Sequence, residues 1–131
     1  MSAKRIFAYI AIAAFANFLV IGSLFGELGF NVVRVIICFF GGSMLVSESH
    51  APLGIAALAG VWVLAVDHIL LKGGAFLAMQ FFFPSNGEPS GYVAFGGVII
   101  SFIMFAPFAA ALSWLGGWLA RRYPTNAGTR P

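Results

Sequence analysis

This sequence predicts an all-α integral membrane fold: a bundle of four transmembrane helices with a short interfacial segment between the third and the fourth. Three observations lead there. Only 8% of the residues are charged, mean hydropathy is +0.99, and 61% of the chain is hydrophobic, against roughly 45–50% in soluble domains. Four stretches, residues 6–25, 30–46, 52–71 and 92–119, hold 20, 17, 20 and 28 residues of almost unbroken apolar character, where about 20 cross a bilayer. These runs are continuous rather than alternating, which excludes a β-barrel. At 131 residues the chain forms a single membrane domain, residues 1–131.

Helix 1 follows Lys4-Arg5, a pattern that imitates a secretory signal peptide. Its apolar run exceeds the roughly 7–15 residues of such a peptide and no A-x-A-like site follows, so a retained anchor is expected. Asn17 is the one strongly polar side chain near the bilayer centre, and its amide is expected to bond to another helix. The helix closes on Gly22-x-x-x-Gly26. Helix 2 is marginal in length and carries the stripe Arg34, Cys38, Gly41 and Leu45. In helix 3, Pro52 suits the first turn, where its missing N–H costs nothing. Its stripe is Ala56, Gly60, Val63 and Asp67, and Lys72 followed by Gly73-Gly74 reads as a helix stop.

Residues 75–83 (AFLAMQFFF) are too few to span and read as interfacial or re-entrant. The following PSNGEPSG has the composition of a solvated turn. Helix 4 is over-long and contains Pro107, which is expected to kink it. Ala106, Ala110, Ser113 and Gly117 form its small-residue stripe. Membrane helices associate through close backbone approach, so Gly22, Gly26, Gly41, Ala56, Gly60 and the helix 4 stripe are the candidate packing positions. The helix 4 stripe in particular is expected to meet another chain, either a second copy or a larger membrane protein. Residues 120–131 form the expected cytoplasmic tail.

Placing both termini in the cytoplasm puts Lys4, Arg5, Arg121, Arg122 and Arg130 inside and leaves Arg34 and Lys72 outside, as the positive-inside rule favours. A bacterial cytoplasmic membrane is the expected location. The short connection at 47–51 makes helices 2 and 3 antiparallel neighbours. Arg34 lies 12 residues from Val46 and Asp67 lies 15 from Pro52. The offset amounts to roughly 4.5 Å of helix rise, within reach of an arginine. An isolated charge at that depth is costly, so Arg34 and Asp67 are expected to pair, either as a structural lock or as the lining of a polar path with Asn17.

The net charge of +3 comes from chain-end clusters that serve orientation, so no nucleic-acid partner is implied; the partner implied is the lipid bilayer. The single cysteine, Cys38, excludes an intrachain disulfide framework. Asp67-His68 resembles an oriented carboxylate–imidazole pair, but adjacent helical residues diverge by about 100°. His68 is therefore expected on the Lys72 face, near headgroups. His50 and Glu48 sit in the opposite turn, a membrane thickness away, and no metal, cofactor or catalytic site is predicted. In size and helix count the chain is similar to small multidrug transporters and fluoride channels. The former place an essential Glu in mid-helix 1, where this chain has Asn17, and the Asn- and Phe-bearing motifs of the latter are not found. The leading expectation is an accessory, assembly or interaction protein; the alternative is a small oligomeric transporter or channel, and an enzyme working at the outer interface around Asp67 and His68 ranks last.

Overall fold

The computed structural model describes residues 2–82 and 91–123. Among them there is no strand. The elements are α1 (Ala3–Ala16), a π-helical segment Asn17–Ile21, α2 (Gly22–Ser49), α3 (Leu53–Leu64), a second π-helical segment Ala65–Gly73, α4 (Gly74–Phe82) and α5 (Gly91–Arg122). Three runs are long and apolar enough to cross a membrane: Ala3–Ser49, Leu53–Phe82 and Phe95–Arg122.

The first of these runs doubles back on itself at Gly26, whose backbone (φ 73°, ψ −166°) departs from helical geometry. That region of backbone space is open essentially to glycine alone. Around this point Ile10 packs against Gly41, and Asn17 Nδ2 donates to the Phe30 carbonyl oxygen at 3.1 Å. The role of Gly26 is therefore conformational. It is exposed, with nothing near the Cβ it lacks, so Gly26 is not a packing position, whereas half-buried Gly22 lies against Phe30. On α1, Ile6, Ile10 and Ala14 are buried at intervals of four, the period that keeps one face of a helix toward its neighbours.

The second run corrects the expected stop at Gly73-Gly74. The helix continues through both glycines to Phe82, and Gly74 keeps ordinary right-handed geometry (φ −61°, ψ −39°). Gly73 is buried because the Phe95 ring of α5 lies where its Cβ would stand. Gly73 thus serves close approach rather than termination, while Gly74 is exposed with nothing near its missing Cβ. Residues 74–82 extend the third helix instead of forming a separate interfacial segment. The expected turn at 84–90 lies outside the described residues, as does the tail from 124 onward.

At its other end α2 stops at His50, which takes the left-handed conformation (φ 54°, ψ 32°). The His50 and Ala51 N–H groups both return to the Leu45 carbonyl, the latter at 3.0 Å, so the helix closes on a left-handed residue. Pro52 then precedes α3 in extended geometry as its N-cap.

α5 packs between α2 and α3. Ser113 meets Cys38 and Gly42 while Gly117 meets Val46, so α5 runs parallel to α2. Gly60 meets Ala109 while Ala56 meets Gly117, so it runs antiparallel to α3. At Gly42, Gly60 and Gly116 a Cβ would collide with the backbone of Ser113, Ala109 and Phe39 respectively. Backbones approach this closely only where side chains are absent. Ser113 Oγ adds a 2.6 Å hydrogen bond to the Cys38 carbonyl. The α5 stripe is consequently part of this chain's own core: Ser113 and Gly117 are buried, and Ala106 and Ala110 are half-buried. Two helices of the same chain converge on this stripe. α5 continues without interruption through Pro107.

Candidate functional site

The polar centre of the molecule is built on a change of helical pitch. Through α3 the buried residues are Ala56, Ala59, Gly60, Val63 and Leu64, an ordinary α-helical stripe. Continued at that period, the stripe would bury Asp67 and then Leu70, Leu71 and Gly74. From Ala65 to Gly73, however, the helix adopts i→i+5 geometry. More residues then fill each turn, consecutive side chains diverge by less than the roughly 100° of an α-helix, and the stripe slips. Val66, Asp67, His68 and Gly73 become buried while Leu70 is left 66% exposed.

Two neighbouring polar side chains are thereby brought inside together. Asp67 Oδ2 accepts from Arg34 Nε at 2.7 Å, joining the third helix to α2. Asp67 Oδ1 lies 2.7 Å from His68 Nδ1. The far ring nitrogen, His68 Nε2, lies 3.4 Å from Ser101 Oγ on α5. Asp67 and His68 are 1% and 4% exposed, so these bonds form away from water, where an unpaired polar group is costly. This corrects the placement of His68 on a headgroup-facing surface, the π-helical turn being the reason, although His68 and Lys72 do line one cavity.

The carboxylate beside the Arg34 guanidinium has only acceptors to offer when ionised. In the neutral imidazole whose Nδ1–H donates to that carboxylate, Nε2 presents its lone pair to the Ser101 hydroxyl. Arg34 is further held by the Phe30 ring, 4.4 Å from Cζ to centroid. The Phe30 carbonyl accepts the Asn17 amide across the Gly26 reversal. Asn17 thus supports the Arg34 platform from behind and does not line the main cavity. Its Oδ1 is buried without a partner.

A cavity of about 330 Å³ opens beside this network. Glu27, Asn31, Arg34, His68, Lys72 and Ser101 form its polar side; Val35, Leu64, Phe105, Phe108 and Leu112 are among its apolar walls. Phe105 and Phe108 are 51% and 69% exposed, and they sit on the outward face of α5. A second cavity of about 480 Å³ shares Glu27 and Lys72 and reaches Phe18, Ser23 and Phe30. Glu27, Asn31, Lys72 and Ser101 escaped the site prediction. One signal for Ser101 was legible: it and Ser113 are the only polar side chains between Tyr92 and Trp114, and both bond to another helix.

His50 is exposed and stands at the opposite end of the bundle from His68. No cluster of three or more His, Cys, Asp or Glu side chains able to hold a metal occurs among the described residues. No family model, curated protein or solved structure matches the chain.

Proposed function

We propose that this chain is a four-crossing protein of a bacterial cytoplasmic membrane, both ends cytoplasmic, that binds an anionic amphiphile through the Arg34–Lys72 cavity. The observation that carries this reading is the two-sided lining of that cavity. Charged and hydrogen-bonding groups gather at one side, and exposed phenylalanines continue the other side into the surface that meets lipid. Arg34 uses Nε for Asp67, so its Nη donors stay available to a headgroup, with Lys72 as a second cation. An acyl chain fits along Phe105 and Phe108. The reversal at Gly26 supports counting Ala3–Ser49 as two crossings, which brings the total to four.

This reading is favoured over docking onto another chain, because the stripes that suggested docking are used in the internal packing. It is favoured over conduction because the route from the cavity toward the His50 turn is filled by the Gly42–Ser113 and Gly60–Ala109 backbone contacts.

Lipid retention tests the binding. Protein purified in mild detergent and offered an equimolar mixture of anionic and zwitterionic phospholipid is expected to retain the anionic one in native mass spectra. Lys72→Gln is expected to lose that preference several-fold. Equal retention of both lipids by wild type overturns the proposal. Topology is tested separately by cysteine labelling in a Cys38→Ala background. Ser2→Cys and Ser23→Cys are expected to react from opposite sides of the membrane, and reaction from the same side removes the fourth crossing.

A further inference from the structure

We infer that Ser101 is a nucleophile, activated by His68, that cleaves a carboxylic ester of the bound amphiphile; this rests on the amphiphile-binding reading above. The arrangement Asp67–His68–Ser101 supplies the groups that acyl transfer requires, in the required order. The buried carboxylate fixes the imidazole through Nδ1 at 2.7 Å, and Nε2 faces the hydroxyl at 3.4 Å. Such contacts are commonly long without substrate and tighten when it binds. Recognition of a triad rests on geometry and roles, not on chain order or fold. Arg34 holds the second carboxylate oxygen at 2.7 Å, which fixes the carboxylate in place beside the imidazole. Arg34 and Asp67 are thus positioning residues, while Ser101 and His68 act on the reacting atoms.

The location favours this chemistry over a purely structural role. Both Ser101 and His68 line the cavity, whereas the structural serine of the same helix, Ser113, is fully buried and bonded to a backbone carbonyl. The apolar wall of Phe105, Phe108 and Leu112 begins one turn beyond Ser101 and suits the acyl portion. Lys72 and Asn31 are the cavity-lining donors suited to a developing oxyanion.

In the first step the Ser101 hydroxyl proton passes to His68 Nε2 and Oγ bonds to the ester carbonyl carbon. The tetrahedral adduct collapses, its carbon–oxygen bond to the alcohol breaks, and the departing alkoxide takes the proton from Nε2. Water then gives a proton to Nε2 and its oxygen to the acyl carbon. The Ser101 oxygen leaves with the electron pair and recovers the proton. The net reaction is ester plus water to carboxylic acid plus alcohol.

A fluorophosphonate probe tests the nucleophile directly on the full chain in detergent micelles. The expected result is a single adduct mapped to Ser101 by peptide mass spectrometry. Ser101→Ala is expected to abolish it, and His68→Asn to slow it by roughly 100-fold or more. Hydrolysis of a medium-chain p-nitrophenyl ester in the same micelles is expected to fall in parallel. The Ser101→Ala variant is expected to remain folded, giving up only the contact with His68. Wild type that retains lipid yet forms no adduct at Ser101 overturns the inference and leaves the binding proposal standing. Adduct formation at full rate in His68→Asn overturns the role of the relay. Loss of lipid preference in wild type counts against the binding proposal alone.

Discussion

The two halves of the bundle are held together by opposite means. Toward the His50 turn, Gly42, Gly60, Gly116 and Gly117 let α5 lie against α2 and α3 backbone to backbone. A side-chain hydrogen bond from Ser113 to the Cys38 carbonyl joins α5 to α2 there. Toward Gly26 the helices stand apart around a cavity and are joined by Arg34, Asp67, His68 and Ser101. In lipid, apolar side chains gain little by leaving their surroundings, so either close packing or polar bonding must drive association. The contrast teaches that this chain separates the two: the glycine half leaves no room for a ligand, and the polar half keeps a cavity at the expense of contact area.

Removing one partner from the polar half is the largest expected disturbance. Asp67→Asn leaves the half-buried Arg34 guanidinium without its counter-charge and is expected to cost about 3 kcal/mol, the low end of what breaking a buried pair costs. Adding Arg34→Gln should recover part of that loss, since the uncompensated charge is then gone. Unfolding in mixed micelles with graded denaturing detergent measures both. If Asp67→Asn unfolds like wild type, the network does not hold that half together.

In the glycine half the effect is steric. Gly42→Ala and Gly60→Ala each place a methyl group on a neighbouring carbonyl, an overpacking expected to cost about 1–3 kcal/mol. Lipid preference should survive wherever these variants still fold, because the cavity lies in the other half. A glycine variant that folds normally but loses the lipid would erase the distinction between the halves.

The smallest effect concerns the turn itself. His50 holds left-handed geometry that costs a non-glycine residue about 1–2 kcal/mol, and glycine returns part of that as backbone entropy on folding. His50→Gly is therefore expected to stabilise by about 0.5 kcal/mol without changing lipid retention. Destabilisation would mean that the imidazole has a role at that turn.

Much of this was legible in the chain alone. Helical class and membrane character follow from hydropathy, since a bilayer admits only structures that satisfy their own backbone hydrogen bonds. The approach of Arg34 to Asp67 follows from counting residues outward from a short turn, because helix rise is constant and unpaired charges are costly at that depth. Small-residue faces were readable as packing positions, but not the partner each would meet. Tertiary structure decided that α5 enters between α2 and α3 of its own chain, a choice that depends on three surfaces at once. It also decided that the helix continues through Gly73-Gly74, with the Phe95 ring filling the space a Gly73 side chain would occupy. The largest departure is the π-helical stretch from Ala65 to Gly73. A sequence read at a period of 3.6 places Asp67 and His68 on different faces. Packing against α2 and α5 selects a wider turn that no local residue pattern demands, and with it the alignment of His68 with Ser101.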